Sequence, residues 1–201
     1  MFTITKLLAI TATSLAVSTA SAPSAWTVDH SHTRVGFSVR HFFTPIEGRF
    51  DDVNVTLAWD RANVAASHVE ARIQVPSINT GNTKRDEHLR TPDWFGGTAS
   101  NDIAFKSTSV RPSGSTQFIA TGDLTIKGVT RRVDVPFRLI GVQEIPASMQ
   151  AMLGGAKRIA SFEATLTIDR RTFGVGTGMW AETAVVGSDV DIRIQVEASE
   201  K

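Results

Sequence analysis

The sequence predicts an all-β domain of about eight antiparallel strands, closed into a barrel or stacked as a sandwich. Three observations predict it. Apolar residues recur with period two in eight separate runs, turn-forming residues separate several of them at hairpin distance, and one segment alone breaks the rhythm with helix formers. Such alternation marks half-buried strands with one dry and one wet face, the habit of antiparallel sheets.

Taken in order, the N-terminus comes first. Met1 to Lys6 carries one positive charge and no acid, Leu7–Val17 is apolar, and small residues fill the stretch from Ser18 to Ala25. This is the layout of a secretory signal peptide, with cleavage expected between residues 20 and 25. The apolar run is well short of the ~20 residues that span a bilayer. No twin arginine precedes it, which favours general export. The expected product is a single domain over residues 26–201, exported to a periplasm.

The strand runs follow. Val35, Phe37 and Val39 alternate with polar or small residues, as do Val53, Val55, Leu57 and Trp59, and then Val69, Ala71, Ile73 and Val75. Ile103–Ser107 begins the pattern and turns polar; Phe118–Ile126, Val133–Leu139, Phe162–Ile168 and Val190–Val196 complete it. Pro112-Ser113-Gly114-Ser115 and Lys127-Gly128 stand between runs as turns. Residues 82–95 read as a short helix with Asn82 or Thr83 as N-cap, ending near Pro92. A barrel removes the exposed sheet edges that a sandwich must protect. Eight strands make it just wide enough to be filled by side chains or to hold one small ligand. Ala71, Ala120, Gly122, Ala164, Ser107 and Ser109 on the inferred inner face leave room, whereas Phe37, Phe118 and Phe162 could fill it. Composition leaves both outcomes open.

Charge and composition narrow the function. Twenty-one Lys and Arg against twenty Asp and Glu give a formal charge of +1 over 201 residues, no footprint for a phosphate backbone. The absence of cysteine removes disulfides, thiolate metal sites and a cysteine nucleophile together. His30 and His32 have the spacing of zinc ligands on a strand, with His41 or His88 as the candidate third ligand; a strand-end hydrogen-bonding role is the plainer reading, and no metal is expected. No Gly-x-Ser-x-Gly elbow and no His-Glu-x-x-His motif occurs. The spaced glycines of Phe173–Gly178 lack a βαβ context and read as a loop. In the 82–95 segment, Leu89, Trp94 and Phe95 could close a barrel mouth while Lys84, Arg85 and Arg90 meet an anionic head group. A solvated, ion-paired helix explains the same residues.

The order of short motifs along the chain adds to this reading. Trp26-Thr27-Val28-Asp29-His30-Ser31-His32 is followed by Val35-Gly36-Phe37-Ser38-Val39-Arg40-His41, Gly48-Arg49-Phe50, Ser77-Ile78-Asn79-Thr80 and Arg85-Asp86-x-His88-Leu89-Arg90. Asp93-Trp94-Phe95, Phe105–Thr108, Gly122–Thr130 and Ile168–Gly174 complete the series. In this the chain resembles the YceI-like family over essentially its whole mature length. The resemblance implies an exported, lipocalin-like eight-stranded antiparallel barrel that binds a polyisoprenoid or another long amphiphilic lipid in its interior, without catalysis or cofactor. Two features depart from many relatives: Ala99–Asp102 stands where they carry a proline-containing turn, and tyrosine is absent, so no phenol can reach a head group.

The expected apolar wall is Phe37, Val39, Val55, Leu57, Ile73 and Phe105, with Phe118, Leu124, Phe137, Phe162, Leu166 and Ile194. The expected mouth is His41, Arg49, Arg85, His88 and Arg90, where charge adjoins aromatic residues. The expected partner is an isoprenoid quinone, a polyprenyl phosphate or another long-chain lipid, with no nucleic acid; transient membrane contact and a homodimer are compatible with it. The alternatives are a barrel enzyme acting on a bound lipid or through a histidine metal site, and a filled-barrel stress-response interaction protein.

Overall fold

The computed structural model describes residues 23–96 and 102–201. Residues 1–22, the bulk of the expected leader, and residues 97–101, which hold most of the departing turn, lie outside it. Each of the eight alternating runs forms a strand: β1 (Ser24–His41), β3 (Val53–Trp59), β4 (His68–Gln74), β6 (Asp102–Pro112), β7 (Gln117–Ile126), β8 (Val129–Glu144), β9 (Arg158–Asp169) and β10 (Val186–Glu200). They pair antiparallel in the order β1-β3-β4-β6-β7-β8-β9-β10, and β10 returns to β1. The sheet is therefore a closed eight-stranded barrel, not a sandwich.

Closure rests on the length of β1. Its first residues, Ser24–Trp26, pair with β3, its last, Val35–His41, pair with β2 (Thr44–Phe50), and along the other edge Thr27–Asp29 and then the stretch from Arg34 onward pair with β10. Neither β2 nor the two-residue β5 (Ile78–Asn79) stands out as an apolar run, because Gly48 separates Ile46 from Phe50 in the inward phase of the first and the second is too short. The one expected helix, α1 (Thr83–Leu89), starts where Asn82 accepts a hydrogen bond from the Arg85 N–H, as a cap should. It ends sooner than expected, at Leu89, since Pro92 disfavours helical backbone at Thr91. A four-residue helix, α2 (Ala147–Gln150), lies between β8 and β9.

The two ends of the barrel differ. At the β1 N-terminal end, Trp59 packs edge-on against Phe118, Phe137 and Phe162 at centroid distances of 4.8, 5.9 and 5.5 Å, forming an aromatic floor. The Trp26 indole N–H donates to the Trp59 carbonyl at 3.1 Å and fixes it from the side. At the other end α1, residues 91–96 and the 170–181 segment form a cap.

Three expected inner-face residues turn out not to make room. A bulge between Ser107 and Ser109 interrupts the β6–β7 register; the Ser107 hydroxyl accepts from the Val69 N–H, and Ser109 is exposed. Gly122 is buried, but a Cβ there would meet the Lys106 carbonyl at 2.4 Å and the Phe105 ring at 2.7 Å. That space belongs to the Phe105 ring. Gly122→Ala is accordingly expected to destabilise the barrel by about 1–3 kcal/mol, read from the denaturant midpoint. An unchanged midpoint would contradict the packing described.

Candidate functional site

Between floor and cap the barrel encloses a cavity of about 500 Å³ with almost wholly apolar walls. Period two explains them: alternate residues of each strand face inward, and the β-branched and aromatic residues of these strands fall in that phase. Phe37, Val39, Val55, Leu57, Ile73 and Phe105 line the cavity, as do Leu124, Phe137, Phe162, Leu166 and Ile194. Phe118, expected among them, does not. It lies at the far end of β7, where its ring stacks on Phe137 at 5.3 Å and belongs to the floor. Alternation assigns a side chain to a face of the sheet, not to a height along the barrel axis.

Of the expected mouth residues, His41, Arg85 and His88 line the cavity, and Arg49 and Arg90 do not. Arg49 alternates with the buried Phe50 and so faces outward, where its guanidinium pairs with Asp51 at 2.6 Å. Arg90 donates to the Ile78 carbonyl at 3.0 Å and tethers the end of α1 to β5. Arg85 and His88, one helical turn apart, share the inner face of α1. A relay positions Arg85: buried Asp86 accepts from the N–H and hydroxyl of Thr80 at 2.9 and 2.6 Å, and Thr80 accepts from Arg85 through its hydroxyl and carbonyl at 2.7 and 2.9 Å. His88 stands edge-on to Trp94 and Trp180 at 6.0 and 5.1 Å. The buried indole N–H of Trp94, whose ring lines the cavity, has no acceptor among the described residues.

The cap is held by a residue that the sequence offers only within the Ile168–Gly174 motif, with no role attached. Arg170, 3% exposed, donates to five main-chain carbonyls: Gly187 at 2.9 Å, Val175 at 2.8 Å, Gly176 at 3.3 Å, Trp180 at 2.7 Å and Val186 at 2.9 Å. Its guanidinium also lies over the Trp94 ring, 5.3 Å from the centroid. Burial pushes its pKa down from the usual arginine value, and the charge of Asp169 opposes that. Gly176 has φ +79°, and a Cβ there would sit 2.1 Å from the Arg170 Nη1, so this approach requires glycine. Lys127 donates to the carbonyls of Pro92 and Gly174, and the N–H groups of Gly176 and Thr177 donate to the Asp93 carbonyl at 2.8 and 2.9 Å. The 91–96 segment is thus tied down on two sides. Among the described residues lining the cavity, Arg40 and His41 alone are exposed, which places its opening at the end of β1, beside α1.

The histidine pair does something else. His30 Nδ1 meets the Val53 carbonyl at 3.1 Å, and His32 Nδ1 lies 2.9 Å from Asp29 and 3.6 Å from Glu197. These three residues form a three-ligand cluster, but neither His41 nor His88 joins it. It sits outside the barrel where the β1–β10 register slips between Asp29 and Arg34, and it clasps that seam. The hydrogen bond with Asp29, and then the charges of Asp29 and Glu197, raise the His32 pKa above its ordinary 6.5. The same bond, followed by the Ser31 N–H, holds the Asp29 carboxyl below its usual value. Below its ordinary pKa, His32 contributes fully to stability, and the contribution fades as pH rises through the raised value. That of Asp29 is present above its ordinary value and fades as pH falls through the lowered one, so the clasp acts between the two. An NMR titration should find His32 above 6.5 in the native protein and lower in Asp29→Asn. No difference between the two would mean the clasp does not form.

Comparison with known proteins agrees with this geometry. The model of the YceI-like domain matches residues 26–198. The chain belongs to the YceI-like family. Protein YceI of Shigella flexneri is 34% identical over 196 residues, covering 96% of each chain. The crystal structure of BcnA from Burkholderia cenocepacia superposes with a TM-score of 0.75 at 27% identity, over 85% of this chain and 99% of that one. A domain from Saccharophagus degradans, described as polyisoprenoid binding and implicated in plant cell wall breakdown, shares the YceI-like fold with a TM-score of 0.62 at 12% identity, over 89% and 99% of the two chains.

Proposed function

We propose that this YceI-like protein is a non-catalytic carrier that holds the tail of a long-chain isoprenoid lipid inside its barrel. The observation that carries the reading is the closed-ended apolar cavity. Its 500 Å³ falls in the range of small-molecule sites. An apolar void of only ~150 Å³ stays dry and takes up benzene. Water has almost nothing to bond to on these walls, whereas a methyl-branched chain replaces the missing dispersion contacts along their length. The description of the Saccharophagus degradans domain supports the same ligand class.

The polar groups suggest the direction of binding. The tail lies toward Phe137 and Phe162, and the head group lies under α1, where Arg85, His88 and Trp94 line the cavity. These are donors. Glu163, the one carboxylate bordering the cavity among the described residues, is paired with Arg138 and Arg193. An isoprenoid quinone or a polyprenyl phosphate, each ending in oxygen acceptors, fits that end better than a cationic head group would. The three-part N-terminal layout supports export to a periplasm.

Trp94 and Trp180 line the upper cavity and provide the test. Ubiquinone delivered from cyclodextrin should quench tryptophan fluorescence saturably, with a one-to-one endpoint. Linear, unsaturable quenching would overturn the proposal.

A further inference from the structure

The surface around the opening carries more apolar area than the fold requires. The β1–β2 hairpin ends in Phe42 and Phe43, which are 53% and 92% exposed, and Met179 and Val185 are 78% and 36% exposed. The Phe42 N–H donates to the Val185 carbonyl at 2.7 Å, so the hairpin tip and the 178–186 segment lie side by side. Each is continuous with the wall: His41 and Val186 line the cavity next to Phe42 and Val185, and Trp180 lines it next to Met179. Turn chemistry does not account for the two phenylalanines. A two-residue hairpin favours asparagine and glycine, yet Phe42 occupies the left-handed region at φ +53°. An aromatic side chain kept in that conformation and turned to solvent points to a contact outside the chain.

We propose that this rim is a bilayer-docking surface: Phe42, Phe43, Met179 and Val185 insert among the acyl chains and head groups of a phospholipid membrane, so that lipid passes between bilayer and cavity without crossing water. The occupant follows from continuity. The apolar tips lead directly into an apolar cavity, and a ligand of that chemistry resides in membranes. The inference rests on the carrier reading for its purpose, but not for the contact itself. A helix face is not needed; two aromatic tips with aliphatic neighbours suffice for shallow, reversible insertion. Charge near the rim is mixed, with Arg40 and Lys84 against Glu47 and Glu182, so apolar insertion and not anionic attraction drives the contact.

The test is flotation of the mature protein with vesicles of phosphatidylethanolamine and phosphatidylglycerol. It compares the wild type with Phe43→Ser/Met179→Gln, two positions outside the cavity wall, and with Met152→Gln as a control. Met152 belongs to the other exposed apolar cluster, in the β8–β9 connection at the floor end, and is 72% exposed. The rim variant should float at least roughly tenfold less, and Met152→Gln should match the wild type. A polyprenol supplied from cyclodextrin should bind the rim variant as well as the wild type, while its transfer from vesicles slows and no longer rises with vesicle concentration. A wild type that fails to float, or a rim variant that floats equally, overturns the proposal. So does a rim variant that changes the oligomeric state without changing flotation, which would make the surface an interface between copies. Flotation that depends on the rim, with no polyprenol bound from cyclodextrin, would uphold docking and remove the carrier reading instead.

Discussion

Ala71→Phe is expected to lower the affinity for a long-chain isoprenoid at least roughly tenfold while leaving the protein as stable as the wild type, or more stable by ~0.5–2 kcal/mol. Ala71 lines the cavity and is only partly buried, with Val55 and Phe105 as its register partners on β3 and β6. A ring at this position projects into space no side chain occupies. It gains dispersion contacts and removes volume from the ligand. The filled-barrel alternative requires the opposite stability effect, because a ring forced into a packed core costs about 1–3 kcal/mol. Isothermal binding and a denaturation curve on the same sample separate the two. Lost stability with unchanged ligand binding would show that the void does not hold the ligand.

Arg170→Leu should have the largest effect on stability. It removes five hydrogen bonds at once and leaves the buried carbonyls of Val175 and Gly176 and the part-buried ones of Trp180, Val186 and Gly187 without that donor. The expected loss is about 3–5 kcal/mol, because a buried carbonyl left without a donor costs about 1–3 kcal/mol and water can reach only the part-buried ones. Arg170→Lys should recover little of it, since an ammonium cannot present the planar fork that reaches carbonyls on opposite sides. Amide hydrogen exchange would register the loss first in residues 175–187. A variant with the wild-type midpoint and wild-type exchange would mean that the cap is held by other contacts.

Much of this was legible in the sequence, for a specific reason. All eight barrel strands bury one face, and one-sided burial leaves a period-two record, so their existence and inward phase could be read directly, except beyond the β6 bulge, where Ser109 falls outside. Closure left no such record. It depends on β1 exchanging partners along its length, and that occurs around His30–Arg34, where the alternation lapses and the register slips. Height along the axis was equally silent, which is why Phe118 read as wall and proved to be floor. Among the cationic residues, Arg49 could have been set aside by phase, since it alternates with Phe50. Arg170 could not have been found in that way. It lies in a non-repeating segment, and its acceptors are carbonyls, which carry no side-chain signature. Of the glycines at 174, 176 and 178, all at positive φ, only Gly176 marks a close approach, to the buried Arg170 guanidinium; the other two shape the turn.

The most direct test of a lipid-filled barrel is native mass spectrometry of the protein purified without detergent from its native host, followed by solvent extraction of any bound mass. The account predicts a single adduct of isoprenoid mass, released by organic solvent and absent from Ala71→Phe. A protein without adduct that also takes up no added isoprenoid would contradict it.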